Sequence, residues 1–249
     1  MIKKGLIFGT LLVLFQSYSQ MEEPIVIGHR GAKGHIVENS LPSIEKGIEL
    51  GSDAIEIDVF KIADGSVVVF HDDTLDRLTE ASGAIEKYTK STLDEVLLEG
   101  GVKIPTLEEV LDLIDKRAVL NIELKGAGTA EPVYKIMKKY MADKGWKKED
   151  FIISSFKWDE LEEMRGLDNE IPIGVLTSKD MIGAMNEAKK VNAVAIHPHF
   201  KALTKENVAE AQKEGFKIYT WTVNTPEDIK LVKSLYVDGV ITDYPERVN

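Results

Sequence analysis

The fold is decided by the stretch Ala54-Ile55-Glu56-Ile57-Asp58-Val59-Phe60. Its β-branched residues and its period of two predict a β-strand with aliphatic side chains on one face and Glu56 and Asp58 on the other. Carboxylates are costly to bury unless they are paired or bind a metal. The stretch therefore fits two structures: an antiparallel strand with one wet face, or a barrel strand whose acidic face points into a site.

A second stretch has the same design. Leu120-Asn121-Ile122-Glu123-Leu124-Lys125 alternates aliphatic residues with polar ones. Two such strands with inward-facing polar positions would bring Glu56, Asp58 and Glu123 together. This second stretch favours the barrel.

Length and composition narrow the class of protein. A chain of 249 residues suits one large α/β barrel or two small domains, and 43% hydrophobic with 29% charged residues is typical of a globular protein. No linker or low-complexity segment interrupts residues 20–249, so we predict a single domain there. The formal net charge of −11 argues against nucleic acid as a partner, and the absence of cysteine excludes disulfides and a thiol mechanism.

The first 19 residues have the layout of a secretory signal peptide. Lys3 and Lys4 precede an apolar run over 5–15, and Ser17 and Ser19 occupy the −3 and −1 positions of a cleavage site. A buried N-terminal strand or a membrane anchor fits less well, because the apolar run is too short to span a bilayer. We expect a periplasmic or secreted bacterial protein with no stable membrane insertion after cleavage.

Strand-like and helix-like segments alternate along the rest of the chain, which indicates a parallel sheet. Helix starts are predicted at Asn39 or Ser40, at the Thr106/Glu109 capping box and at Thr225-Pro226. Strands are predicted at 24–29, 54–60, 66–70, 119–125, 151–155, 171–176, 193–197, 217–223 and 239–242.

Nine strands are one more than a (β/α)8 barrel needs. The connection 61–65 is too short for a parallel crossover, and Asp64-Gly65 is a hairpin signal. We therefore predict that 66–71 folds back antiparallel on 54–60, and that the other strands close an α/β barrel of the TIM type with a small insertion at about 72–103. In such barrels the site lies at the carboxyl ends of the strands.

Polar residues that can do chemistry cluster at those strand ends. They are His29, Arg30, Glu56, Asp58, His71, Asp72, Glu123 and Lys125. Each alone has an ordinary explanation, such as a core histidine, a surface cation or an aspartate that begins a turn. Together they bring carboxylates, imidazoles and cations to one rim, which a plain surface does not explain.

The order and spacing of these motifs resemble the glycerophosphodiester phosphodiesterase family. The matching motifs are Gly28-His29-Arg30-Gly31, Glu38-Asn39-Ser40, Glu56-Ile57-Asp58-Val59, His71-Asp72, Glu123-Leu124-Lys125 and Trp221-Thr222-Val223-Asn224. They run in order from about residue 25 to the C-terminus. One departure is Ser40, where threonine is commoner, and serine should still cap a helix.

The resemblance implies a barrel fold and one divalent cation held by Glu56, Asp58 and Glu123. Oxygen ligands suit hard cations, either Mg²⁺ or Ca²⁺. The resemblance also implies that His29 and His71 are the general acid and base, in an order that the sequence does not assign. An ordinary imidazole pKa near ~6.5 suits that work at neutral pH.

Further residues would bind the substrate. Arg30 and Lys125 would hold phosphate oxygens, and we expect them to be placed for the phosphate rather than for the carboxylates. Asn39 is a weaker candidate for the same role. Trp221 would pack on the glycerol or alcohol group, or would simply plug the barrel top, and His197 is either a pocket residue or a structural one.

The resemblance therefore implies an exported, metal-dependent enzyme that hydrolyses small-molecule glycerophosphodiesters to glycerol 3-phosphate and an alcohol. One alternative is a phospholipase C- or D-like enzyme acting on intact lipids, which would favour an exposed apolar rim. Another is a binding protein for phosphorylated ligands on the same barrel, which would favour the loss of a motif residue. Attack by water and attack by a neighbouring glycerol hydroxyl both remain open at this point, as does the oligomeric state.

Overall fold

The structure is a computed structural model and describes residues 23–249. The predicted signal peptide at 1–19 lies outside these residues. Among the residues described, no helix is both long enough and apolar enough to cross a membrane.

Eight parallel strands close into a barrel, as predicted. In chain order the described strands are β1 (Ile25–Gly28), β2 (Ala54–Lys61), β3 (Val67–Val69), β4 (Leu97–Leu98), β5 (Val102–Lys103), β6 (Val119–Leu124), β7 (Phe151–Ser155), β8 (Ile173–Thr177), β9 (Ala195–Pro198), β10 (Lys217–Thr220) and β11 (Gly239–Thr242). The barrel order is β1-β2-β6-β7-β8-β9-β10-β11, and β11 pairs back with β1. The carboxyl ends of all eight strands therefore meet at one rim.

Helices on the outside follow most of the barrel strands. They are α1 (Leu41–Glu49), α3 (Leu107–Ile114), α4 (Ala130–Asp143), α5 (Trp158–Leu167), α6 (Met181–Lys190), α7 (Lys205–Lys213) and α8 (Pro226–Ser234), whereas the short α2 (Lys90–Leu93) lies in the inserted segment. The three predicted helix starts are confirmed: the side chains of Ser40, Thr106 and Thr225 each accept a hydrogen bond from the backbone N–H three residues later. These caps fix where each chain segment leaves the barrel rim.

The core has two parts on either side of the barrel wall. The aliphatic face of β2, with Ile55, Ile57 and Val59, is fully buried against the helices. A smaller cluster that includes Ile27, Ile152 and Ile241 fills the barrel interior. The alternation of β2 thus belongs to a barrel strand, because both of its faces are buried and the acidic face points inward.

The antiparallel arm, our name for the segment 66–71 that was predicted to fold back on 54–60, is also present. Strand β3 pairs antiparallel with the end of β2, and Val59 lies opposite Val69. The following segment, which we predicted only as a polar insertion, contains α2 and the β4–β5 hairpin. It has an apolar cluster of its own, in which Leu75, Ile85 and Leu93 pack against the outer part of the arm. Burial of these residues fixes the segment beside the barrel mouth.

Several strands are shorter than predicted, and at β10 the difference matters for the site. Strand β10 ends at Thr220 rather than at residue 223. Trp221 makes only an isolated bridge to His199, and its indole N–H donates to the carbonyl of His197. The indole is therefore held at the mouth of the barrel, one residue beyond the strand.

Candidate active site

One cavity opens at the carboxyl end of the barrel, and seven of the nine predicted site residues line it. They are His29, Arg30, Glu56, His71, Glu123, Lys125 and Trp221. The other two, Asn39 and Asp58, are 1% exposed and lie just behind the cavity wall. The barrel therefore brings residues from five separate motifs to one place.

Three buried carboxylates cluster at one side of this cavity, two of them in its lining and Asp58 just behind. Glu56, Asp58 and Glu123 each place an oxygen within 4.8 Å of the others. The register explains the convergence, because Asp58 lies directly beside Glu123 in the parallel pair of β2 and β6. Their side chains point into the barrel from neighbouring strands.

Glu56 and Glu123 bind a proton more readily than ordinary carboxylates, because burial and mutual repulsion disfavour their charged forms. Burial, and then the negative charges of Asp58 and Glu123, raise the pKa of Glu56 well above its usual range. Burial and the neighbouring Asp58 raise the pKa of Glu123 to about 7, although Lys125 acts in the opposite direction. A divalent cation would remove this repulsion, and the all-oxygen donor set has the chemistry that Mg²⁺ or Ca²⁺ prefers.

The two cations are placed differently from our expectation. We expected Arg30 and Lys125 to be held for phosphate rather than for the carboxylates. Instead, Lys125 Nζ lies 2.9 Å from Glu123 Oε1 and 3.6 Å from Asp58 Oδ1. Arg30 Nε lies 3.2 Å from Asp58 Oδ2. The dense negative charge attracts both cations, and both still line the cavity, where a phosphate could contact them.

Asn39 acts on the acidic cluster instead of lining the substrate cavity. Its side-chain N–H₂ donates to Asp58 Oδ2 at 2.9 Å, and its carbonyl oxygen accepts from the Asp58 backbone N–H at 3.2 Å. These two bonds fix the orientation of Asp58. The structure gives Asn39 a positioning role in place of the predicted direct contact with substrate, because its side chain is buried and does not line the cavity.

The backbone of the His-Arg-Gly motif has an unusual conformation. Arg30 has a φ of 52°, which only a strongly constrained non-glycine residue adopts. Its N–H donates to Glu56 Oε2 at 2.9 Å, and its carbonyl accepts from Asn39 N–H at 3.0 Å. At Gly31, with a φ of 87°, a Cβ would lie 2.4 Å from the carbonyl carbon of Ser43. Glycine is required there for the turn to close on α1.

Each of the two predicted acid–base histidines is oriented by a carboxylate. His29 Nδ1 lies 2.6 Å from Asp243 Oδ1, and His71 Nδ1 lies 2.6 Å from Asp72 Oδ1. A carboxylate on Nδ1 holds the proton there and leaves Nε2 for proton transfer. The cavity thus has two imidazoles with a defined tautomer.

Both imidazoles are harder to protonate than a free one. Burial lowers the pKa of His29 against the opposing pull of Asp243, and burial likewise lowers the pKa of His71. Both are therefore mostly neutral near pH 7 in the absence of substrate. A phosphate brought between them would favour the protonated form of one.

Two of the orienting residues were underestimated from the sequence. From the sequence, Asp243 fits a helix N-cap or a residue at a strand end, and Asp72 belongs to the strand-end cluster but could also begin a turn. Asp243 is in addition held by Asn224, whose amide donates to Asp243 Oδ2 at 2.8 Å. The available signal was position, because Asp243 directly follows β11 and every strand of a parallel barrel ends at the same rim.

The opposite wall of the cavity is apolar and aromatic. Trp221 packs edge-on against Phe156, with ring centroids 5.4 Å apart, and Leu176 lies beside them. Phe156 is 42% exposed. Below this wall, the buried Asn121 Oδ1 and Ser154 Oγ have no hydrogen-bond partner among residues 23–249. Both residues line the cavity, although these two atoms are themselves shielded from solvent.

Two roles were predicted for His197, and its position fits the structural one rather than the pocket one. It is fully buried and does not line the cavity, and burial lowers its pKa to about 3. Its ring packs at 5.3 Å from that of Tyr219 and fills the space over Gly174, where a Cβ would lie 2.3 Å from His197 Nε2. The neutral imidazole is a space-filling residue of the barrel.

Comparison with known proteins agrees with this geometry. Residues 29–247 match the model of the glycerophosphoryl diester phosphodiesterase family. A glycerophosphodiester phosphodiesterase of Caldanaerobacter subterraneus subsp. tengcongensis is 34% identical over 89% of this chain and 95% of that protein. One of Bacillus altitudinis is 33% identical over 89% of this chain and 95% of its own.

Solved structures share the whole barrel. A phosphodiesterase of Oleispira antarctica in complex with the product sn-glycerol-3-phosphate has a TM-score of 0.83 and 28% identity, covering 90% of this chain and 95% of that one. A glycerophosphodiester phosphodiesterase of Thermotoga maritima has a TM-score of 0.78 and 33% identity, covering 90% and 96%.

Fold and site together define a phosphodiesterase built on a TIM barrel. Within that class, the chain belongs to the glycerophosphoryl diester phosphodiesterase family. The match begins at His29, the first residue of the site, and includes every element that contributes to the cavity.

Proposed function

We propose that the protein is a metal-dependent glycerophosphodiester phosphodiesterase that releases glycerol 3-phosphate and an alcohol. The observation that carries the proposal is the position of two carboxylate-oriented imidazoles, His29 and His71, on the same cavity as Glu56 and Glu123. Acid–base groups and an anionic metal-binding cluster are what the hydrolysis of a phosphodiester needs. The product complex of the Oleispira relative supports the same substrate class.

Glu56, Asp58 and Glu123 would hold one Mg²⁺ or Ca²⁺ ion, which supplies charge stabilisation to the phosphoryl oxygens when it is bound. Arg30 and Lys125 add fixed positive charge at the same edge of the cavity. One imidazole takes the proton of the nucleophile through Nε2. The other gives a proton to the leaving alkoxide.

The apolar wall suits the rest of the substrate. Trp221 and Phe156 offer an aromatic surface to the glycerol or alcohol group, and Asn121 and Ser154 add polar side chains to the same cavity. Phe156 is the only large apolar residue of this wall that is more than one-third exposed in the described chain. A water-soluble diester fits such a wall better than a lipid with two acyl chains.

The proposal predicts metal-dependent release of glycerol 3-phosphate from glycerophosphocholine. Activity should be lost in excess chelator and restored by Mg²⁺ or Ca²⁺, because three carboxylates alone repel an anionic substrate. The measurement is a coupled assay of glycerol 3-phosphate, with phosphatidylcholine vesicles as a parallel substrate whose cleavage is followed by the release of phosphocholine or choline. Full activity in chelator would contradict metal dependence, and a preference for the vesicles would favour the phospholipase-like alternative.

We further propose that the protein is exported and cleaved after Ser19, on the strength of the basic, apolar and small-residue segments at its N-terminus. Expression in a bacterial host should give a periplasmic or secreted protein that begins at Gln20. Fractionation followed by N-terminal sequencing tests this expectation. An uncleaved protein in the cytoplasm, beginning at Met1, would contradict it.

A further inference from the structure

Arg77 lies outside the cavity, yet it contacts both sides of the catalytic apparatus. It is in the segment that follows the arm, five residues after Asp72, and its side chain is 45% exposed. It does not line the cavity. Sequence reasoning gave it no role.

One set of its contacts reaches His71. Arg77 Nε and Nη2 donate to the two oxygens of Asp72, at 2.5 and 2.9 Å. Asp72 in turn holds His71 Nδ1 at 2.6 Å. Two hydrogen bonds from a planar guanidinium fix the orientation of the Asp72 carboxylate. The His71 imidazole is bonded to that carboxylate, so its orientation is fixed as well.

The other set reaches Arg30. Arg77 Nη2 and Nη1 donate to the oxygens of Glu38, at 2.7 and 3.2 Å. Glu38 is 4% exposed, and its Oε1 also accepts from Arg30 Nη1 at 2.6 Å. Arg30 continues the chain of contacts to Asp58. One guanidinium therefore joins the carboxylates that orient His71 and Arg30.

An ordinary surface ion pair is the simpler explanation, and this chain provides one for comparison. Arg117 is 43% exposed and forks onto Glu45 at 2.8 and 2.5 Å, with no contact to the cavity. Arg77 differs because both of its carboxylate partners are already committed to residues of the site. It also connects the inserted segment to the β1–α1 loop, and no barrel strand links these two parts of the chain directly.

We propose that Arg77 is a positioning residue for the phosphodiesterase reaction, acting on His71 through Asp72 and on Arg30 through Glu38. Without Arg77, Glu38 keeps Arg30 and also Lys33, whose Nζ lies 3.4 Å away. Asp72 keeps only His71 among the described contacts. The main effect of removing Arg77 therefore falls on His71, and hence on kcat rather than on KM.

The test is Arg77→Ala beside Arg117→Ala, with glycerophosphocholine as substrate and metal present. We expect kcat of Arg77→Ala to fall by about 10–100-fold, the usual cost of losing a residue that orients a catalytic group, with a much smaller change in KM. Arg117→Ala should match wild type. Added guanidinium should restore part of the kcat of Arg77→Ala, because the vacated position is open to solvent, and Arg77→Lys should rescue poorly, because one ammonium cannot fork onto two carboxylates.

A double-mutant cycle separates positioning from general stability. In the Asp72→Asn background, the further change Arg77→Ala should cost little additional kcat, because the contact through which it acts is already weakened. Equal costs in both backgrounds, or an Arg77→Ala variant with the wild-type kcat, would overturn the inference. So would a loss of kcat that guanidinium does not reverse.

The inference rests on the proposed function, and the two fail differently. If wild-type protein releases no glycerol 3-phosphate, the proposed function is wrong. If wild type is active and the Arg77 series behaves like the Arg117 control, only the role of Arg77 is wrong.

Discussion

Replacing His71 or His29 by alanine is expected to lower kcat by roughly 10²–10⁴-fold, the range for losing a general acid or base. Each imidazole lines the cavity and is oriented through Nδ1 by its own carboxylate. Neither can substitute for the other, because one must begin the reaction neutral and the other protonated. The measurement is steady-state kinetics on glycerophosphocholine with saturating metal.

His35→Ala is the matched control. His35 is an exposed histidine of the same β1–α1 loop that pairs with Glu246 and lies outside the cavity. Its replacement should leave kcat near the wild-type value. A wild-type rate for His29→Ala or His71→Ala would remove that residue from the mechanism.

The same pair predicts a bell-shaped pH profile. Burial lowers the pKa of both imidazoles in the free enzyme, so the limb on which the base becomes protonated should lie below the ordinary value of 6.5. The two single variants should each abolish one limb. A profile that keeps both limbs in either variant would assign the titration to other groups.

The barrel could be predicted because its determinants are local and periodic. The alternation in β2 and β6, the short Asp64-Gly65 connection and the caps at Ser40, Thr106 and Thr225 each act within a few residues. Strand ends were less certain. Trp221 falls just outside β10 because the chain turns there to bridge His199. The alternation of apolar and polar residues does not indicate that contact.

The residues of the cavity could be predicted, but their mutual contacts could not. Strand-end position is enough to bring His29, His71 and the three carboxylates to one rim. Which cation pairs with which carboxylate depends on distances of an ångström or two across separate strands, and Arg30 and Lys125 turn toward Asp58 and Glu123 for that reason. Alternation therefore predicts the composition of a site better than its hydrogen bonding.

Asp243 and Arg77 were missed for different reasons. Asp243 is a strand-end residue like the others, but the sequence around it does not indicate that it pairs with His29. Arg77 lies in the inserted segment, far from any strand end. Its contacts exist only because Leu75 and Ile85 anchor that segment on an apolar cluster beside the barrel mouth. No sequence period signals such a contact.

Glu123→Gln is expected to abolish activity and, in the metal-free protein, to leave stability at pH 8 equal to wild type or higher. The amide keeps the size of the side chain but removes one negative charge from a buried cluster of three carboxylates. Lys125 pairs with Glu123, which we did not expect. The pKa of Glu123 is nevertheless raised to about 7, so burial and Asp58 together outweigh that ion pair.

The pH dependence follows from the sign of the shift. A carboxyl whose pKa is higher in the folded protein than in the unfolded chain favours folding at low pH, and this contribution is lost as pH rises through the folded value. For Glu123 the loss occurs between about 4.5 and about 7, and Glu56 adds to it in the same direction. From pH 5 to pH 8, Glu123→Gln should therefore gain stability relative to the metal-free wild type.

Bound metal should make wild type more stable than Glu123→Gln, the reverse of the order expected in chelator. A cation stabilises only the form that binds it, so excess Mg²⁺ or Ca²⁺ should raise the melting temperature of wild type well above that of Glu123→Gln. The measurement is the melting temperature of both proteins at pH 5 and 8, in chelator and in excess cation. Glu49→Gln is the control, because it removes a carboxylate paired with a lysine at the exposed end of α1, where Lys46 Nζ lies 3.1 Å away. If Glu123→Gln is clearly less stable than wild type in chelator at pH 8 while Glu49→Gln is not, the Lys125 pair dominates, and Glu123 is a structural residue rather than a strained metal ligand.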